Sequence, residues 1–262
     1  MNQEREAVKE LVEYGLAERA ACRLVGLARS SYQFISQRSE ESIREEEQLK
    51  KEMRRLALKH RRFGYRRIRE MLRRLGRQLN IKRVWRLWKQ EGLQVPRNRP
   101  RRRRRGSAPA LPTAAPHRRH VWTYDFVFDR TEGNGVLKFL TVVDEWTREC
   151  HRIAVGRSLD SLAVIEVLSG LFERHGAPEF LRSDNGPEFI AERVKQWLKD
   201  QGTATVYIEP GHPWENPFGE SFNGRFRDEC LNEEVFLNVR DAQAIVERCR
   251  RHYNHQRPHS SL

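Results

Sequence analysis

The stretch that decides the fold reads HVWTYDFVFDR (120–130), VLKFLTVVDEW (136–146) and ECHRIAVG (149–156). Each run is rich in β-branched and aromatic residues, and short turns at 132–135 and 147–148 separate the runs. Such runs joined by short turns predict a three-stranded antiparallel meander.

Helical and extended segments alternate after the meander. The pattern predicts a helix at 161–176, a strand at 178–184, a helix at 190–202, a strand at 203–209 and a mostly helical chain from Pro217. Three paired strands followed by alternating helices and strands predict a mixed five-stranded α/β sheet with flanking helices.

An acid lies inside the first predicted strand. Asp125 shares a face with Thr123 and Val127, opposite Tyr124 and Phe126. A carboxylate in an apolar strand is costly to bury unless it has a partner or a metal. Asp125 is therefore a candidate functional residue.

Two further acids are predicted at exposed ends of elements. Asp184 follows the fourth strand in SDNGPEF (183–189), and Glu220 lies in the first turn of a helix that Asn216 can cap. On that helix Asn223 and Arg227 share a side with Glu220. Carboxylates gathered from separate elements suit hard cations such as Mg2+.

The net charge divides the chain into a basic front and a mildly acidic rear. Residues 1–119 carry 33 basic and 13 acidic side chains, a net charge of +20, and residues 120–262 carry 17 and 23, a net charge of −6. The basic front half predicts a polyanionic partner, double-stranded DNA in particular. A basic surface of the ribosomal-protein type is the alternative.

The front half has the apolar spacing of two small helical units, 1–40 and 41–100. The first outlines a helix-turn-helix around Gly26, and the second pairs a helix from Tyr65 with the helix IKRVWRLWKQEG (81–92). A helix that is apolar on one face and cationic on the other fits the major groove, although an ordinary helix with a solvated basic face has the same pattern. The candidate DNA contacts here are Arg66, Arg67, Lys82, Arg83, Arg86 and Lys89.

A linker at 101–116 is expected to connect this all-α region to the α/β domain at 117–262. It begins with Arg101–Arg105 and continues with Ala and Pro, a composition that does not fold by itself. Arg101, Arg102 and Arg103 are candidate contacts to DNA phosphates. The alternative is that these arginines only keep the linker solvated and contact no DNA. The four cysteines are widely spaced, which predicts free thiols. The sequence contains no run of about 18 apolar residues, so no membrane-spanning helix is predicted.

The motifs in this order resemble one family closely. Asp184 and Glu220 have 35 residues between them, with Asp125 upstream in a strand. This spacing resembles the catalytic triad of DDE transposases and retroviral integrases. The sequence also resembles the second-reading-frame transposases of the insertion sequence three group in several motifs. In the rear half these are HVWTYDF, RSDNGPEF, PGHPWENPFGESFNGRFRDECLNEE and YNHQRPHSSL, and in the front half they are HRRFGYRRIREMLRRLG and NIKRVWRLWKQEGL.

The resemblance implies a ribonuclease H-like core and a metal-dependent transposase that binds terminal inverted repeats and performs DNA strand cleavage and strand transfer. Asp125 would bridge two Mg2+ ions, Asp184 and Glu220 would hold one each, and Mn2+ would be a substitute. Asn223 and Arg227 would contact DNA. A bacterial cytoplasmic, nucleoid-associated protein is implied, as are a homo-oligomer on DNA and a first-frame protein partner or fusion.

Several alternatives stay open at the level of sequence. The family usually continues beyond HSSL (259–262), which leaves room for a catalytically inactive DNA-binding regulator derived from a transposase. A ribonuclease H-like nuclease without strand transfer is a third possibility. Asp144 and Glu145 are expected to form a structural pair with Arg148, and Glu188 to contact DNA or cap a helix. His212 is expected either in a mobile active-site loop or in an ordinary loop. The histidines near the C-terminus are expected to pack or to face solvent rather than to bind metal; they are His252, His255 and His259.

Overall fold

The computed structural model describes residues 2–33, 40–95, 115–209 and 215–258. Contacts divide the chain into two compact units, Met1–Arg55 and Leu56–Leu262. The division falls within helix α4 (Glu40–Lys59), and so inside the segment 41–100. Most of the expected linker, including Arg101, Arg102 and Arg103, lies outside the described residues, so the domain limits stay predictions. Within the described ranges, no helix has the length and apolar character needed to cross a bilayer.

The first unit begins with three short helices, α1 (Asn2–Glu13), α2 (Glu18–Val25) and α3 (Arg29–Gln33). Val8, Ala21 and Cys22 are buried at their centre. Gly26 ends α2 with a φ of 74°, a left-handed conformation that glycine adopts without strain. The predicted helix, glycine turn and helix are thus present.

Helices α5 (Tyr65–Arg74) and α6 (Ile81–Gln90) form the second helical pair. As predicted, the side chain of Asn80 caps α6 by accepting a hydrogen bond from the Lys82 amide at 2.8 Å. Leu87 and Trp88 are buried, whereas Trp85 does not belong to the apolar face of this helix. Its side chain is 50% exposed.

The second half of the chain contains the predicted five-stranded mixed sheet, in the order β3-β2-β1-β4-β5. Strands β1 (Val121–Arg130), β2 (Val136–Asp144) and β3 (Cys150–Gly156) form the antiparallel meander, which confirms the first expectation. Strands β4 (Phe180–Ser183) and β5 (Ala204–Tyr207) continue the sheet parallel to β1.

Helices cover both faces of this sheet because its strands are apolar on both sides. The helices are α7 (Ser161–His175), α8 (Pro187–Ile190), α9 (Glu192–Asp200), α10 (Pro217–Phe226) and α11 (Val239–Arg251), and single π-helical turns extend α10 to Leu231 and α11 to Gln256. Helices α7 to α9 pack with Trp122 and Tyr124, while α10 and α11 pack with Val127 on the opposite face. The mixed sheet with flanking helices, behind an all-α front region, confirms the predicted ribonuclease H-like fold.

Candidate active site

Asp125 lies at the centre of the sheet, on the face covered by α10. Its Oδ1 accepts a hydrogen bond from the Phe126 amide at 2.7 Å, and its Oδ2 accepts one from Asn223 Nδ2 at 2.7 Å. Burial, and then the negative charges of Asp184 and Glu220, raise the pKa of Asp125 from 3.8 to about 6 against these hydrogen bonds. The carboxylate therefore sits where negative charge is concentrated.

Asp184 is placed beside Asp125 by the parallel pairing of β1 and β4. That pairing matches Val121 with Phe180 and Thr123 with Arg182, and Asp184 follows Arg182 by two residues as Asp125 follows Thr123. After burial, the charge of Asp184 is the largest cause that raises the pKa of Asp125. Neighbouring strands lie about 4.8 Å apart. The Asp184 side chain is exposed just beyond the strand end, where its Oδ1 accepts a hydrogen bond from the Gly186 amide at 2.9 Å.

Glu220 is held by the start of α10, which is tied to β1. Asn216 caps the helix by accepting from the Gly219 amide at 3.2 Å, and the same Oδ1 accepts from Thr123 Oγ1 at 2.7 Å. The buried Asn216 thereby fixes the helix start two residues along the strand from Asp125. Glu220 lies in the exposed first turn, where the helix dipole favours a negative charge.

Asn223 and Arg227, the other residues expected on this side of α10, both contact β1 or its neighbour. Asn223 Oδ1 accepts from Thr141 Oγ1 on β2 at 3.0 Å, so its amide is oriented to donate to Asp125. Arg227 donates from Nη2 to the Phe128 carbonyl at 3.2 Å and is otherwise exposed. The two residues lie one helical turn apart along the edge of the acidic cluster.

The three acids are brought together without touching one another closely. Among the described residues, three side chains whose ligand atoms all lie within 4.8 Å of each other occur only at His117, His120 and Glu179. The triad Asp125, Asp184 and Glu220 is not among the groups that converge this closely. An oxygen donor set gathered from β1, the β4 end and α10 fits hard divalent cations.

The rival acids have structural partners, but not all of them the expected ones. Asp144 is buried and accepts from the Trp146 amide at 2.9 Å. Glu145 pairs with Arg182 at 2.8 Å, with both side chains buried, and no ion pair with Arg148 is present among the described residues. Arg148 instead lies 3.5 Å from the centre of the Phe218 ring. The structural role holds, but the ion pair is formed with Arg182, which β4 brings to the end of β2 through β1, while Arg148 acts on Glu145 only through its charge.

Glu188, for which a DNA contact or a helix cap was expected, lies in the first turn of α8 and forms an ion pair with Lys138 on β2. Lys138 also lies 3.8 Å from the centre of the Phe126 ring. Burial tends to raise the pKa of Glu188, but the hydrogen bond and charge of Lys138, with a backbone hydrogen bond, bring it below its ordinary value. His212 lies outside the described residues, as does His259, while His252 stacks on His60 at 5.0 Å and His255 is exposed.

The basic residues of α5 and α6 do not all face the same way. Lys82, Arg86 and Lys89 share the exposed side of α6 with Trp85, at spacings of three and four residues. Arg66 is exposed on α5, and Arg83 is half-buried. Arg67 is engaged within the unit, because its guanidinium pairs with Glu229 at 3.1 Å and lies over the Phe63 ring.

Sequence reasoning missed Thr123 and Asn216 as a connection between strand and helix, and it missed Thr141 as the partner of Asn223. Thr123 lies two residues before Asp125, and period-two alternation already assigned it to the same face. The pairing of Thr141 with Asp125 across β1 and β2 depends on the strand register, which the hairpin turn sets.

Three domain models match the chain in succession. They are an HTH-like domain over residues 44–102 and two integrase core domain models over 115–213 and 201–262. An uncharacterized 31.7 kDa protein of insertion element IS407 from Burkholderia multivorans is 40% identical over 98% of this chain and 90% of its own length. This chain belongs to the integrase-core family of insertion-element transposases. That membership confirms the family resemblance drawn from the motifs.

Other members and a distant fold relative complete the comparison. An uncharacterized 39.2 kDa protein of insertion element IS476 from Xanthomonas euvesicatoria is 39% identical over 98% of this transposase-family chain and 73% of its own length. The magnesium-bound catalytic core domain of HTLV-2 integrase has a TM-score of 0.44 and 14% sequence identity, over 54% of this chain and 89% of that one.

Proposed function

We propose that this member of the transposase family binds the terminal inverted repeats of its insertion sequence and catalyses metal-dependent DNA strand cleavage and strand transfer. The observation that carries the proposal is the environment of Asp125. A mostly buried carboxylate faces two more acids, and its pKa rises to about 6 as a result. Because such a cluster is electrostatically costly, its retention favours a role in binding cations.

Asp125, Asp184 and Glu220 would hold two Mg2+ ions, with Mn2+ as a substitute. When bound, these ions would activate a water or a 3′ hydroxyl and stabilise the leaving oxygen of the phosphodiester. The chain's own contribution is to hold the three carboxylates apart and in place, through the cap at Asn216 and the hydrogen bond from Asn223.

Binding of double-stranded DNA is assigned to the exposed faces of the basic helices. Lys82, Arg86 and Lys89 present a cationic edge on α6, with Arg66 on α5. Each phosphate that such a side chain neutralises releases counterions, so binding should weaken steeply with salt. On the α/β side, the exposed Arg227 at the end of α10 would contact the DNA.

The remaining partners follow from this function. Transposition joins two element ends to a target, and a homo-oligomer on DNA would bring those ends together at the bacterial nucleoid. A first-frame protein, either separate or fused, would add to recognition of the ends. Neither partner is required for the metal-binding proposal.

The test is cleavage of labelled DNA carrying the element ends, in Mg2+, by the full chain and by Asp184→Asn and Glu220→Gln. The control is Glu166→Gln, which removes an exposed carboxylate from α7. We expect nicking and end joining by the unchanged protein and the control only, with DNA binding retained by all four. Cleavage that survives Asp184→Asn would contradict the assignment, and binding without cleavage by the unchanged protein would favour the inactive regulator.

A further inference from the structure

The group His117, His120 and Glu179 lies at the opposite end of the sheet from the acids. His117 and His120 precede β1, and Glu179 precedes β4. From His120 to Asp125 is five residues of strand, or about 16 Å at about 3.3 Å per residue. The group is therefore separate from the candidate active site.

The three side chains lie close enough together to converge on one small ion, with each histidine nearer a different oxygen of Glu179. His117 Nε2 is 3.4 Å from Glu179 Oε1, and His120 Nε2 is 3.7 Å from Glu179 Oε2. Around a tetrahedral Zn2+ with bonds of about 2.0–2.1 Å, two ligand atoms lie about 3.3–3.4 Å apart. All three ligand atoms already lie within 4.8 Å of one another.

Both histidines turn Nε2 towards Glu179, and at His117 a hydrogen bond supports the tautomer that leaves Nε2 free. The buried Nδ1 of His120 has no hydrogen-bond partner among the described residues. His117 Nδ1 lies 3.0 Å from the Arg118 carbonyl oxygen, so the tautomer that donates this hydrogen bond leaves a lone pair on Nε2. Metal-binding histidines commonly donate their other N–H to a carbonyl in this way. His120 is mostly buried against Phe180, and Nε2 is the ring nitrogen that faces Glu179.

The backbone holds the ligands in place before any ion binds. The Glu179 amide donates to the Arg119 carbonyl at 3.0 Å, and the Phe180 amide donates to the His120 carbonyl at 2.9 Å. The flanking guanidinium groups are engaged elsewhere, Arg118 with Glu149 at 3.3 Å and Arg119 with the His175 carbonyl at 3.5 Å. A cation would therefore order little new structure.

We propose that His117, His120 and Glu179 form a second metal site, selective for Zn2+ or a similar borderline transition metal, with water as the fourth ligand. Two imidazoles and one carboxylate suit such ions better than Mg2+, which prefers oxygen alone. The ion connects the segment that enters β1 to the start of β4. It thus anchors the chain where the catalytic sheet begins.

The test is Zn2+ titration of the full chain, purified without a polyhistidine tag and in excess Mg2+ to occupy oxygen-only sites. Competition with a chromogenic chelator gives stoichiometry and affinity. We expect one bound Zn2+, an affinity more than about 100-fold weaker in His120→Ala and in Glu179→Gln, and no change in His255→Ala. Asp125→Asn should also leave Zn2+ binding unchanged, because the two sites are separate.

Two controls keep the result interpretable. Glu179 is exposed, so Glu179→Gln tests ligation without disturbing the core. Substitution by Co2+ should give a visible spectrum free of thiolate charge-transfer bands, since the proposed site contains no cysteine. No Zn2+ binding, binding unaffected by both ligand variants, or a thiolate spectrum from Cys230 or Cys249 would each overturn the proposal.

Discussion

Removing the central carboxylate should stabilise the metal-free protein at neutral pH. In the folded chain the pKa of Asp125 rises from 3.8 to about 6, through burial and the charges of Asp184 and Glu220. Each pKa unit corresponds to 1.36 kcal/mol, so ionised Asp125 costs the folded state about 3 kcal/mol. Asp125→Asn removes the charge and keeps one of the two oxygens, so it retains the hydrogen bond from either Asn223 or the Phe126 amide.

The pH dependence follows from the direction of the shift. Between about pH 4 and pH 6 the folded state holds a proton that the unfolded state has lost, so stability falls as pH rises. The penalty is complete above the folded pKa of about 6 and absent below 3.8. The advantage of Asp125→Asn should therefore be full near pH 7.5 and small near pH 4.

The assay is urea and thermal unfolding in the presence of EDTA at pH 4, 5.5 and 7.5, with Glu166→Gln as the exposed-carboxylate control. For a unit of this size about 3 kcal/mol corresponds to about 6–12 °C in Tm. Added Mg2+ should narrow the gap, because it stabilises only the protein that binds it. Equal stability of the variant and the unchanged chain at pH 7.5, or a gap independent of pH, would refute this reasoning.

Three further predictions concern pairing, DNA binding and positioning. Glu145→Ala leaves a buried arginine without its carboxylate and should lower the free energy of unfolding by about 3–5 kcal/mol in urea denaturation; a loss below 1 kcal/mol would contradict the buried pair. Lys82→Ala and Lys89→Ala should each reduce the slope of log affinity against log salt by about 0.9 in fluorescence anisotropy, and an unchanged slope would place the DNA elsewhere. Asn223→Ala removes a hydrogen bond that lowers the pKa of Asp125, so the acid limb of the cleavage pH profile should move to higher pH; a profile of lower rate but unchanged shape would argue against this positioning role.

The strands and helices were predictable because their sequence periods are strong. Alternation through 120–130 correctly separated the two faces of β1, so Asp125 and Val127 were assigned to one side and Tyr124 to the other. The cap at Asn216 followed from its position before Pro217. Local chemistry thus indicated where each acid would lie along its own element.

Side-chain contacts between different strands and helices were harder to predict from the sequence than the elements themselves. Glu145 was expected to bind Arg148, its neighbour in sequence, whereas strand order brings Arg182 to it from 37 residues away. The same parallel pairing of β1 and β4 joins His120 to Glu179, which no local pattern predicts. On α6 the helical period alone did not distinguish the exposed Trp85 from the buried Trp88.

The most direct test of the central claim is a change of metal preference at one acid. Asp184→Cys replaces a carboxylate with a thiolate, a softer ligand that accepts Mn2+ more readily than Mg2+. If Asp184 holds a catalytic cation, DNA cleavage by this variant should be lost in Mg2+ and partly restored in Mn2+, while Glu166→Cys cleaves in both. Cleavage by Asp184→Cys in Mg2+ at the rate of the unchanged protein would contradict the claim.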